Sequence, residues 1–302
     1  MIIDTHCHYN VEPLYSQIDK HWKNSLKNNV IGGICIGTDI ENSKIALKLA
    51  QDYPSMFASI AIHPEELTDK IKPLITGDKY SQKEIDEVIE NTTQAFDRLL
   101  TQTLADPDNK LIGIGEVGLD YFRLKKKGVV RNLVESAQRK VFTHQLVLAF
   151  KHNLPLILHV RDQIDRSKIN AYYDTYEIVH NLVQKYTQQS KTVPPIILHC
   201  ASGPIDYIKE FIKLGAYIGF AGNVSYENAK ELRQIIEITP KDKVLLETDA
   251  PYLAPLDKKG EICEPFFIKK TAEFLQNNYQ LDIDIILNNT IKVFPQFEAF
   301  VK

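Results

Sequence analysis

The chain has 302 residues, 44% of them hydrophobic and 25% charged, a composition that suits a folded enzyme and excludes wholesale disorder. Its formal net charge of -3 offers no bulk attraction for a polyanion, so a nucleic-acid partner would need a local source of positive charge. No run approaches the ~18 apolar residues of a membrane span, no signal-peptide pattern opens the chain, and Cys7, Cys35, Cys200 and Cys263 form no C-x-x-C pair; these features predict reduced thiols, no membrane and a cytoplasmic (or, in a eukaryote, nuclear) monomer.

Short apolar, β-branched runs bounded by Gly or Pro predict eight strands, at 1–4, 33–38, 57–63, 111–116, 155–160, 195–200, 216–221 and 243–249. Helical spacing of apolar residues fills the intervals, at 21–29, 42–53, 81–103, 133–152, 171–189, 204–214 and 227–238. In the clearest of these, 133–152, Val141, Phe142, Gln145, Leu146 and Ala149 fall on one face. The strand runs are continuously apolar rather than alternating, which is the pattern of a parallel sheet covered on both faces. Eight such units predict an α/β fold of the (β/α)8 TIM-barrel type, one domain spanning 1–302; a doubly wound open sheet gives no reason for eight. The tail 266–302 predicts two further helices, and the polar stretches 65–110 and 163–192 predict elaborations over or beside the barrel mouth.

Five of the nine histidines end a predicted strand: His6, His8, His63, His159 and His199. Glu116 and Asp249 do the same. All strand C-termini of a parallel barrel open on one face, so residues far apart in sequence would meet in one cup. His6 and His8, at i and i+2, point to one side of an extended chain and can hold one ion together, while Glu116 could bridge to a second ion held by His159 and His199. Imidazole mixed with carboxylate suits Zn or Mn, and tolerates Mg where phosphate and water add oxygens. Taken singly, each residue has a plainer role: a satisfied hydrogen-bonder, a turn cap, or an arginine partner. Their concurrence at the strand ends favours ligands. His21, His144, His152 and His180 read as structural or solvated. GIGEVGLDY lacks the G-x-G-x-x-G of a dinucleotide site and predicts a tight strand-end turn instead. A nucleophilic Cys200 is disfavoured, since neighbours on a strand point to opposite faces.

The segments DTHCHYN, AIHPEE, GEVGLDY, LHVRD, LHCASG and ETDAPYLAP, in this order over most of the chain, resemble the TatD family of metal-dependent deoxyribonucleases in the amidohydrolase superfamily. The resemblance implies two divalent ions per chain (Mg, Mn or Zn), one held by His6, His8, Glu116 and Asp249, the other by Glu116, His159 and His199. It implies that His63 lies near the scissile phosphate and that Arg161 contacts phosphate. The implied reaction is hydrolysis of DNA phosphodiesters, of single strands or 3′ ends and of RNA as an extension, with Asp249 as general base and Glu116 as bridge. Tyr121, Phe122 and Tyr252 either offer faces to bases or pack the rim. Asn10, Ala201, Cys263 and Lys259 depart from the family pattern without touching a ligand. The alternative is a small-molecule amidohydrolase or phosphoesterase using the same cup, against which stands Glu116 where carbamylated-lysine members carry lysine. A scaffold without catalysis would have lost ligands.

Overall fold

The apolar runs become eight strands in the computed structural model, which describes residues 1–77, 79–124, 128–162 and 171–301. They are β1 (Ile2–Cys7), β2 (Val30–Ile36), β3 (Met56–Ile60), β4 (Leu111–Asp120), β5 (Leu156–Arg161), β6 (Ile196–Leu198), β7 (Tyr217–Phe220) and β8 (Val244–Leu246). Each pairs in parallel with the next, in the order β1 to β8. Closure between β8 and β1 uses fewer ladder bonds and more side chains. Thr5 Oγ1 donates to Leu246 O at 2.9 Å, Asp249 N to His6 O at 2.9 Å and His8 N to Ala250 O at 2.8 Å. The buried Asp4 carboxylate accepts from the Thr248 N–H at 3.0 Å and its hydroxyl at 2.6 Å. The expected (β/α)8 barrel is the fold.

Helices alternate with the strands: α1 (Ile18–Lys27), α2 (Ile40–Asp52), α3 (Pro64–Ile71), α4 (Gln82–Ala105), α5 (Val129–His152), α6 (Ala171–Gln188), α7 (Ile205–Lys213) and α8 (Lys230–Ile238). The stretch 65–110 resolves into α3 and α4, whose Ile85, Phe96, Leu99 and Leu100 join the layer between helices and sheet. Of 163–192, residues 163–170 lie outside the described ones, and α6 packs in the helical ring. The tail forms the two expected helices, α9 (Ile268–Tyr279) and α10 (Ile283–Val293). After α10, Phe294 and Phe297 pack with Ile3, Ile34, Phe57, Ile112, Ile157, Ile197 and Leu245, an apolar floor drawn from most of the strands.

Strand alternation then places the cup. With a period of two, the inward position that holds Ile157 in the floor holds His159 and Arg161 above it. Ile197 likewise leads to His199, and Leu245 leads to Glu247 and Asp249. One expectation fails on β4: GIGEVGLDY is not a tight turn, since all of it but Tyr121 belongs to the buried strand Leu111–Asp120, with a register shift between Gly115 and Val117. Gly118 explains the composition. Its φ is +149°, and a Cβ there would stand 1.9 Å from His159 O, so only glycine lets β4 lie this close to β5.

Candidate metal centre

Glu116 sits at the middle of the cup, 4% exposed, and divides its carboxylate between two sets of histidines. Oε2 lies 3.4 Å from His6 Nε2 and 3.7 Å from His8 Nε2. Oε1 lies 2.5 Å from His159 Nδ1 and 3.6 Å from both His63 Nε2 and His199 Nε2. Asp249 Oδ1 closes the first set, 3.3 Å from His8 Nε2 and 3.7 Å from His6 Nε2. Every group of His, Cys, Asp and Glu near enough to share an ion, among the described residues, draws on this cup.

All six expected ligands are thus brought together, and so is His63. Its placement has a local cause. His63 caps α3, accepting the Glu65 N–H on Nδ1 at 3.2 Å, which turns Nε2 toward Glu116. Arg161 stands apart from the ion-holding groups, exposed at the end of β5, with its guanidinium 4.0 Å over the Phe122 ring. His21, His144 and His180 stay outside, beside Glu264, Asp97 and Gln184 respectively.

The cup's electrostatics suit a cation. Burial opposes the charge of Glu116, yet the charges of His159, His63 and His199 hold its carboxyl well below the usual carboxylate range. Burial also disfavours His159 as a cation, but Glu116 and Asp120 push it up to about 10. His199 rises to about 9, where burial is outweighed by Glu247 and Glu116. His6 goes the other way, lowered by burial and by the neighbouring His199, whose ring stacks on it at 3.5 Å. That leaves His6 fully buried as a neutral ring whose two nitrogens have no hydrogen-bond partner, an arrangement that is costly unless a cation takes the lone pair. The donor set of imidazoles and carboxylates therefore fits a divalent ion.

Two residues bend the chain to make this possible. Cys200 and Asp249 have φ of +42° and +56°, in the left-handed region that non-glycine residues uncommonly adopt. Because β6 ends at Leu198, strand alternation no longer governs Cys200, and its thiol lies within reach of His199 and Asp249. The expected opposition of the Cys200 and His199 side chains therefore does not hold. Burial and the charges of Glu247 and Asp249 nonetheless push the thiol far up, so it is no nucleophile at neutral pH. Sequence reasoning also missed Asp120 and Glu247, which face the outer nitrogens of His159 and His199. Inward parity on β4 and β8 was the available signal. Of the two roles open to Tyr121, the structure favours packing: it is 1% exposed and donates to Asp174 Oδ2 at 2.9 Å.

Comparison with known proteins agrees with the fold and with a metal-dependent hydrolase. The profile of a family described as "TatD related DNase" matches residues 3–297. An uncharacterized metal-dependent hydrolase of Mycoplasma genitalium, MG009, is 30% identical over 96% of this chain and 98% of its own. A further uncharacterized metal-dependent hydrolase, YabD of Bacillus subtilis, is 25% identical over 96% of each chain. Among solved structures, YjjV, a TatD homologue from Escherichia coli, superposes with a TM-score of 0.71 at 25% identity, covering 97% of this chain and 98% of that one. With its barrel, its cup of histidines and carboxylates and a family match over nearly its whole length, the chain belongs to the TatD-related family of metal-dependent hydrolases.

Proposed function

We propose that the protein is a nuclease that hydrolyses DNA phosphodiester bonds at a centre of two divalent ions, Mg, Mn or Zn. The observation that carries the reading is the division of Glu116: Oε2 faces His6 and His8, while Oε1 faces His159, His199 and His63. In this reading His6, His8, Asp249 and Glu116 would hold one ion, and Glu116, His159 and His199 would hold the other. Ions so placed would polarise the phosphoryl oxygens, acidify the attacking water and supply the positive charge that the composition lacks.

The chain's own residues do the rest. Asp249 turns Oδ1 to the histidines, so Oδ2 is the oxygen that accepts the water's proton. Burial raises its pKa, but hydrogen bonding to His8 and the charge of His199 bring it below the usual value, which keeps the carboxylate ionised at neutral pH. His63 Nε2 and Arg161 bind non-bridging phosphate oxygens, and Phe122 under the guanidinium keeps Arg161 at the rim. Tyr252, 53% exposed with its ring 6.0 Å from that of His8, offers a face to a base beside the scissile phosphate. A cup at a barrel mouth favours single strands and 3′ ends, of DNA first and RNA second.

End-labelled DNA and RNA oligonucleotides, single and double stranded, incubated with each metal test the reading. Single-stranded DNA is expected to shorten with Mn or Mg, and Asp249→Ala to lose at least a hundredfold in rate. Equal product from wild type and Asp249→Ala would refute it.

A further inference from the structure

We infer that Asp120 and Glu247 are positioning residues that decide which ring nitrogen His159 and His199 present to the cations; this rests on reading the cup as a cation centre. The two histidines face it in opposite senses. His159 brings Nδ1 to 2.5 Å from Glu116 Oε1 and leaves Nε2 3.1 Å from Asp120 Oδ2. His199 instead brings Nε2 to 3.6 Å from Glu116 Oε1 and leaves Nδ1 3.0 Å from Glu247 Oε1. A neutral imidazole carries one N–H, and a carboxylate on one nitrogen holds that N–H outward, freeing the other lone pair for a metal.

Both carboxylates are themselves fixed. Asp120 is 3% exposed, and its Oδ1 accepts the Phe122 N–H at 2.9 Å. Gln138 of α5 grips its backbone from both sides, accepting the Asp120 N–H and donating to the Asp120 carbonyl, each at 3.0 Å. Glu247 is 0% exposed and its Oε1 accepts the Cys200 N–H at 2.6 Å, lying 3.0 Å from His199 Nδ1 in an ion-pair contact that lacks hydrogen-bond alignment. Space for it is built into β7: a Cβ on Gly219 would stand 2.3 Å from Glu247 Oε2. An ionised carboxylate buried this deeply is expensive unless compensated, and a histidine N–H with a cation on the ring's other nitrogen would compensate it. The barrel therefore keeps two acids that touch no substrate and whose geometry sets the tautomers of two ligands.

The test combines nitrogen NMR of the zinc-loaded protein with zinc titration against a competing chelator. Wild type is expected to show His159 as the Nε2–H tautomer and His199 as the Nδ1–H tautomer. Asp120→Asn, Glu247→Gln and Gly219→Ala are each expected to weaken zinc binding about 10- to 100-fold. Gly219→Ala displaces the carboxylate without touching a charge, so its loss could not be ascribed to altered electrostatics. The reverse tautomer in wild type, or folded variants that bind zinc within twofold of wild type, would overturn the inference. A wild-type chain that took up no zinc, manganese or magnesium would instead remove the cation reading beneath it.

Discussion

Tyr252 is held by its neighbours rather than by its own contacts. Asp249 and Leu253 flank it with φ of +56° and +52°, and its N–H donates to Asp249 O at 2.8 Å, so the half-exposed ring is presented beside His8. Stacking of a base on an aromatic ring is worth about 1–3 kcal/mol, roughly 5- to 150-fold in affinity. Tyr252→Ala is therefore expected to lower kcat/KM for a single-stranded oligonucleotide about tenfold or more, while Tyr252→Phe keeps most of it. Assays on an oligonucleotide abasic beside the cleavage site supply the control. If Tyr252→Ala slowed cleavage equally with and without the base, the ring would be shaping the rim and not stacking. The same stretch shows what residue-level reading captures: His6, His8, Glu116 and Asp249 were legible from strand parity and chemical type. Tyr121 was not separable from Tyr252, because which aromatic is covered depends on α6, whose Asp174 holds the Tyr121 hydroxyl.

Helix α5 ties the β3 and β4 ends of the cup into the ring, and it does so with polar side chains. Gln145 is 1% exposed; its Oε1 accepts the Ile62 N–H at 2.7 Å and its Nε2 donates to Ile62 O at 3.1 Å. Gln138, one face-repeat earlier, bonds Pro64 O, Thr68 Oγ1 and both backbone groups of Asp120. Periodicity places Gln145 on the apolar face, where it is buried. Its task was not legible, since a pattern of spacing does not say which backbone groups a side chain will meet across the fold. Gln145→Leu fills the same space but orphans a buried donor and acceptor at Ile62, one residue before His63. It is expected to cost about 2–4 kcal/mol, read from the urea midpoint at unchanged slope. A loss under about 0.5 kcal/mol would mean that water or backbone movement satisfies Ile62 instead. The β4 glycines teach the complementary lesson: composition suggested a turn, but glycine was needed for close packing of strand on strand.

The barrel separates stability from chemistry along its axis. Strand count and order were legible because each run is apolar throughout; the floor was not, because Phe294 and Phe297 reach it from the far end of the chain. Phe297 is 0% exposed and makes an edge contact with Phe57 at 4.8 Å, so Phe297→Ala should destabilise by about 3–5 kcal/mol through the cavity it leaves. At the opposite end, His6 is equally buried but has unpaired nitrogens, so its removal relieves the metal-free protein of an unsatisfied group. If the cup contributed by the ends of β1, β4, β5, β6 and β8 holds an ion as proposed, that ion binds the closed barrel and not the unfolded chain. At 100 times its Kd an ion of that kind adds about 2.7 kcal/mol, a rise of several degrees in Tm. The two variants should therefore dissociate in a thermal-shift panel across Zn, Mn and Mg. Phe297→Ala lowers the metal-free Tm yet keeps the metal-induced rise; His6→Ala holds or raises the metal-free Tm yet loses the rise. If both variants lost stability and metal response together, floor and cup would be one cooperative unit, and the axial division would be wrong.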